Sequence, residues 1–207
     1  MNEFTISSNK YLSKNIRAFY HINYVRMGNP GNPDYLNVLK NTYNKEHSAK
    51  LNKASENLRN VLKEDLPKLL LELKLKMLTV CVVPRAKSES AYEADQLLFK
   101  STVRSVISGL IGFEDGTDYI VRYKNTRTTH FYKDIPNYDN DGSSPYPGIS
   151  RDTCHIAPCV KGKNILLIDD IYTKNVNIDE DAIQALFVHG ASNVFFYSVG
   201  KTNELFG

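Results

Sequence analysis

No run of roughly 18 apolar residues occurs in this 207-residue chain, which excludes a hydrophobic membrane-spanning helix. The opening segment, MNEFTISSNKYLSKNIRAFY, holds no continuous apolar stretch, so a secretory leader is not expected. Cysteine is scarce. Cys81, Cys154 and Cys159 are an odd number without scaffold spacing, which argues against a disulfide framework and for a reducing, cytoplasmic setting. Cys154-His155-x-x-x-Cys159 also lacks the second ligand pair of a structural zinc site, so reduced loop cysteines are the expectation.

Nucleotide-binding signatures are missing as well. There is no G-x-x-x-x-G-K-[ST] run, which considerably weakens a P-loop reading, and no G-x-G-x-x-G follows the first apolar strand either. Charge of one sign is slight. A net charge of +3 is far from a nucleic-acid-binding composition and suits an anionic small molecule equally well. Lys40, Lys45, Lys50, Lys53 and Lys63 alternate with Glu46, Glu56 and Glu64, the pattern of a solvated helix face, so nucleic acid is not expected as a partner.

What is present begins with the run Asn164-Ile-Leu-Leu-Ile-Asp169-Asp170-Ile-Tyr-Thr173-Lys174-Asn175-Val176-Asn177. Four apolar residues predict a strand buried on both faces, and two adjacent carboxylates mark its end. A polar loop and a helix over 178–189 follow, closed by Gly190. Carboxylates and free backbone N–H groups thus meet where open α/β sheets bind ligands. Further strands are expected at 77–83, stopped by Pro84, at 118–123 and at 193–199, with a helix over 88–111. Strands separated by helices predict an α/β fold with a mostly parallel central sheet flanked by helices.

The first third reads differently. The Gly-Asn-Pro-Gly-Asn-Pro run at 28–33 argues against a helix there. Residues 34–63 carry Leu36, Leu39, Leu51, Leu58 and Leu62 at helical spacings, and Asp65 could cap a further short helix with Pro67 in its first turn. Residues 1–76 are therefore expected as a helical N-terminal extension packed on a core of 77–207, the two forming one compact unit. Residues 124–163 show no confident element, and 134–148 is turn chemistry throughout, as in a catalytic lid or a disordered loop.

ILLIDDIYTKNVN resembles the phosphoribosyl-pyrophosphate motif of the type I phosphoribosyltransferases: four apolar residues, two acids, two apolar residues and a Thr-Thr-Gly-x-Thr-type loop. VPRAK at the end of the first strand, RYKNTRTTH, and ISRDTCHIAPCVKGK before the motif are similar to the amidophosphoribosyltransferase-like and competence-protein F branch. The likeness covers about residues 77–200 and leaves the N-terminal third unexplained.

The resemblance implies that Asp169 and Asp170 hold the ribose hydroxyls and, through water, Mg²⁺. It implies that Thr173, Lys174, Asn175, Val176 and Asn177 cradle the 5′-phosphate, and that Arg85, Ala86 and Lys87 form the pyrophosphate loop. Arg127, Thr128, His130 and Arg151 would belong to a long flexible hood that shields the reaction. The implied chemistry is Mg²⁺-dependent displacement of pyrophosphate from phosphoribosyl pyrophosphate by a base or amine, through an oxocarbenium-like transition state, in a homodimer.

The departures favour binding over turnover. Asn175 stands where the family has Gly, which Asn tolerates because it enters left-handed backbone more easily than other residues. Asn177 replaces Thr, and Lys174 adds a charge. No early cysteine is present to act as an N-terminal nucleophile, which argues against a glutamine-dependent amidotransferase. A non-catalytic module that senses a ribose phosphate or nucleotide on the same fold is the alternative reading.

Overall fold

The structure is a computed structural model that describes residues 1–128, 140, 142, 149 and 152–202. In chain order the elements are β1 (Asn2–Ile6), β2 (Ile16–Tyr24), α1 (Tyr35–Lys40), α2 (Ser48–Glu72), β3 (Leu78–Val82), α3 (Leu98–Ile107), β4 (Phe113–Asp115), β5 (Ile120–Arg122), β6 (Cys154–Ile156), β7 (Asn164–Tyr172), α4 (Ile178–Val188) and β8 (Asn193–Thr202). Six strands form one sheet in the order β1-β2-β8-β7-β3-β4. Only the β1–β2 pair is antiparallel; the other four pairs are parallel. This is the mixed α/β, mostly parallel sheet expected from the alternation of strands and helices.

β7 shows why the sheet is central. Ile165, Leu166, Leu167 and Ile168 are each fully buried, with Leu166 and Ile168 facing one core and Ile165 and Leu167 the other. The first core is closed by α1, α2 and α3, the second by α4 and by residues of the β5–β6 ribbon. No helix of the described residues is long and apolar enough to cross a membrane.

Several expectations give way. The extension expected to be helical over 1–76 starts as sheet, because β1 and β2 occupy one end of it. Ile16, Ala18 and Phe19 are buried in β2, but Arg17, Tyr20, His21 and Asn23 interrupt them, so the apolar signal is thin. The helix expected through 34–63 breaks at Asn41, where a left-handed residue (φ 38°) caps α1 and its side chain accepts the Lys45 and Glu46 amides. Pro67 does not start a new helix; α2 runs straight through it for 25 residues.

Packing explains that continuity. Leu58, Leu62, Leu66 and Leu69 are all fully buried. Each contributes about 1.5–3 kcal/mol, which together exceeds the roughly 3 kcal/mol cost of an interior proline.

The helix expected over 88–111 is α-helical only as α3, because 89–91 and 94–96 form short 3-10 turns. Just beyond the expected helix, β4 forms and pairs with β3, where no strand was expected. The strand expected at 118–123 pairs with β6 in a ribbon separate from the main sheet, and β6 itself lies where no element was expected. Most of the expected hood, 129–139 and much of 141–151, lies outside the described residues, as do His130 and Arg151.

Candidate functional site

The chain leaves β3 toward β4 on one side, whereas β7, on the other side of β3, leads to β8. The carboxyl ends of β3 and β7 therefore flank the switch point of a doubly wound sheet, where such sheets bind ligands. A cavity of about 530 Å³ opens there, a volume suited to a small molecule. Arg85 and Ala86 border it after β3, Asp169 and Asp170 within β7, and Thr173 and Val176 beyond it. Arg127 and Thr128 border it from the chain beyond β5. Lys87, Lys174, Asn175 and Asn177 are not part of its lining.

The polar loop after β7 runs partly through left-handed backbone. Asn175 and Asn177 are both left-handed, with φ of 74° and 64°. Val176 N–H donates to the Thr173 carbonyl at 3.3 Å, and Asn177 Nδ2 to the Asn175 carbonyl at 2.8 Å. Asn9, in the β1–β2 connection, donates to Asn177 Oδ1 at 2.9 Å and tethers the loop from outside. The amides of Thr173, Asn175 and Asn177 donate to no acceptor among the described residues, so they are free for an anion.

Asp170 faces the helical layer that holds α1. There it meets Lys40, with Nζ 2.9 Å from Oδ2, at the last residue of that helix. Burial pulls the Lys40 pKa down, but Asp170 and then Asp169 outweigh it and hold the ammonium above its ordinary value. Lys40, counted above with a solvated helix face, is a wall of the cavity. The N-terminal third is thus part of the site.

Asp169 has the opposite surroundings. Its side chain shares a hydrogen bond with Asp179, in the first turn of α4, and accepts the Asp170 amide at 2.8 Å. Burial first, then the charge of Asp170, pushes the Asp169 pKa up to about 7. Burial and Asp169 raise Asp179 well above the usual carboxylate range. The pair therefore retains a proton, as closely spaced buried carboxyls do. Asp179 is 5% exposed, borders the cavity and leaves Oδ1 without a partner among the described residues. Its neighbours are engaged elsewhere: Glu180 accepts the Tyr172 hydroxyl at 2.9 Å, and Asp181 accepts the Ile149 amide at 2.6 Å.

The pyrophosphate loop expected at 85–87 serves a partly structural purpose. Arg85 Nη1 donates to the Lys40 carbonyl at 2.6 Å and to the Gln96 carbonyl, and its guanidinium lies 4.3 Å from the Tyr92 ring centre. Gln96 Nε2 in turn donates to the Asn41 and Thr42 carbonyls. These donors cap the C-terminal end of α1, the end a cation stabilises, and so position Lys40. Buried Arg122 donates to the Arg85 carbonyl at 2.6 Å and locks the same loop from below. Lys87 is buried and its amide donates to the Tyr92 hydroxyl. Arg127 is exposed at the mouth of the cavity.

Lys40, Asp179 and Arg122 were not singled out from sequence. Lys40 sits in a Lys/Asn-rich stretch without a distinguishing neighbour, and Asp179 in an acidic first turn that reads as ordinary helix-start chemistry. No group of three or more His, Cys, Asp or Glu side chains that could hold a metal by itself occurs among the described residues. The three cysteines are free thiols; Cys154 is buried in β6, Cys159 is exposed, and His155 between them stacks on Tyr123 at 4.3 Å. No protein-family model matches this chain, and no curated protein matches it.

Proposed function

We propose that the cavity binds a phosphorylated ribose, with phosphoribosyl pyrophosphate as the substrate, and that the protein transfers the ribosyl group to a nitrogen nucleophile. The observation that carries this reading is the placement of Asp169, Asp170 and the free Thr173 amide together on the cavity wall, at the sheet's switch point. Carboxylates accept sugar hydroxyls, and exposed amides bind a phosphate. In the reaction a nitrogen–carbon bond forms at the anomeric carbon as the bond to pyrophosphate breaks, and pyrophosphate leaves with both electrons.

Mg²⁺ fits this donor set in one manner only. It takes one or two carboxylates and completes its shell with water and substrate phosphate oxygens. Asp169 and Asp170 would supply the protein's share, and the ion would neutralise charge on the departing pyrophosphate. Of the cations lining the cavity, Arg85 and Arg122 donate to backbone carbonyls, and Lys40 and Arg127 are the ones with which the chain would meet phosphate oxygens.

A second reading has its own support. Arg85 is committed to the α1 carbonyls and Asp170 to Lys40, so the site is richer in contacts for holding a ligand than for stabilising a leaving group. On that reading the protein senses the ribose phosphate without turning it over.

Calorimetry with phosphoribosyl pyrophosphate and Mg²⁺, followed by a pyrophosphate-release assay with purines, pyrimidines, ammonia and amines, separates the two. Binding with release that the double substitution Asp169→Asn, Asp170→Asn abolishes supports the transferase. Binding without release supports the sensor, and absence of binding overturns both.

A further inference from the structure

The acid pair of the motif is divided by the fold, and a third acid outside the motif stands beside one half of it. Asp170 is already partnered by Lys40 at 2.9 Å. Asp169 is instead joined to Asp179, which comes from a helix rather than from the strand. Asp179 is buried, borders the cavity and keeps one oxygen, Oδ1, without a donor among the described residues. A buried acceptor without a donor costs about 1–3 kcal/mol, and a fold retains such a cost most readily where a ligand relieves it. A carboxylate oxygen accepts hydrogen bonds, so a sugar hydroxyl suits it as a partner and an ionised phosphate does not.

We infer that Asp179 and Asp169, rather than Asp169 and Asp170, form the pair that accepts the ribose hydroxyls. This assignment rests on the ribose-phosphate reading of the cavity. It makes Asp179 a residue that contacts the ligand and determines its specificity, and it leaves Asp170 to Lys40 and the phosphate end. The free amide of Thr173, on the cavity wall after β7, takes the phosphate, and Asp179 stands apart from it in the first turn of α4.

The test compares ribose 5-phosphate with its 2-deoxy and 3-deoxy analogues by calorimetry. Wild-type protein should bind ribose 5-phosphate about tenfold more tightly than at least one deoxy analogue, the value of one good hydrogen bond to an acid. Asp179→Ala should bring that ratio close to one while affinity for the same deoxy analogue changes less than about twofold. Asp170→Asn should preserve the ratio. A thermal melt establishes that each variant is folded, and Asp179→Ser serves as a second variant if the alanine form is not. If ribose 5-phosphate binds but the ratio survives in the Asp179 variants, or disappears only in Asp170→Asn, the assignment is overturned while the ribose-phosphate reading stands. Wild-type binding with no preference against either analogue also overturns it. If no ribose phosphate binds the wild type, the reading beneath it falls first.

Discussion

On the α1 side of β7, Asp170 meets an ammonium; on the α4 side, Asp169 meets another carboxyl group. The two residues are adjacent in sequence and carry the same chemistry, yet one is held in an ion pair and the other is driven toward its neutral form. Successive residues of a strand point to opposite faces, so neighbours in a motif are delivered to different layers. What each acid becomes is then decided by a residue of another element, Lys40 or Asp179. A two-acid motif is therefore two half-sites whose roles come from outside the motif.

The largest expected effect tests the α4 half. Asp169 and Asp179 both have folded pKa values above their unfolded ones. The proton they retain therefore stabilises the fold fully below about pH 4. That stabilisation is lost as pH rises through about 7, the folded value for Asp169. A displacement of this kind corresponds to stability changes on the order of 2–4 kcal/mol. In urea unfolding from pH 4 to pH 8, the stability of wild type minus that of Asp179→Ala should fall as pH rises. A constant difference would erase the contrast between the two acids.

The α1 half should respond less. Lys40→Met leaves Asp170 partly buried and unpaired, at an expected cost of about 1–3 kcal/mol at pH 7. A double-mutant cycle with Asp170→Asn should recover a coupling of about 1 kcal/mol. Coupling near zero would mean that Lys40 merely lies beside Asp170 and that the asymmetry belongs to the α4 side alone.

The smallest effect concerns the loop that both halves share. Asn175→Ala places a residue at φ 74° without Asn's local hydrogen-bonding capacity and should cost about 1 kcal/mol. Asn175→Gly should stay within a few tenths of a kcal/mol of wild type. Equal melting temperatures for the two variants would show that the left-handed backbone is not a constraint on this loop.

The parts of this arrangement that were legible in sequence are those that local patterns determine. Ile165 to Ile168 read as a strand buried on both faces because nothing polar interrupts them, and Asn175 read as a glycine substitute because its side chain tolerates left-handed backbone. β1 and β2 escaped because half of their side chains face solvent or the margin of the sheet, so alternation is diluted by Arg17, His21 and Asn23. Pro67 was misleading because a local propensity was outweighed by four buried leucines. Lys40 and Asp179 were silent for a related reason. Their surroundings are made by tertiary contacts to β7, and the sequence around each resembles that of any exposed helix end.

The placement of β2 has a consequence for how the molecule comes together. β2 lies between β1, its immediate predecessor, and β8, the last strand of the described chain. Ala18 is in register with Phe196 and Tyr24 with Thr202, so one edge of the first hairpin has no native partner until residues 193–202 have been synthesised. Pairing over such a sequence separation is slow, and an open strand edge is a template for another chain in the interval. This hairpin is therefore made well before its neighbour β8, and the open edge of its nine-residue second strand is where unfinished copies would associate.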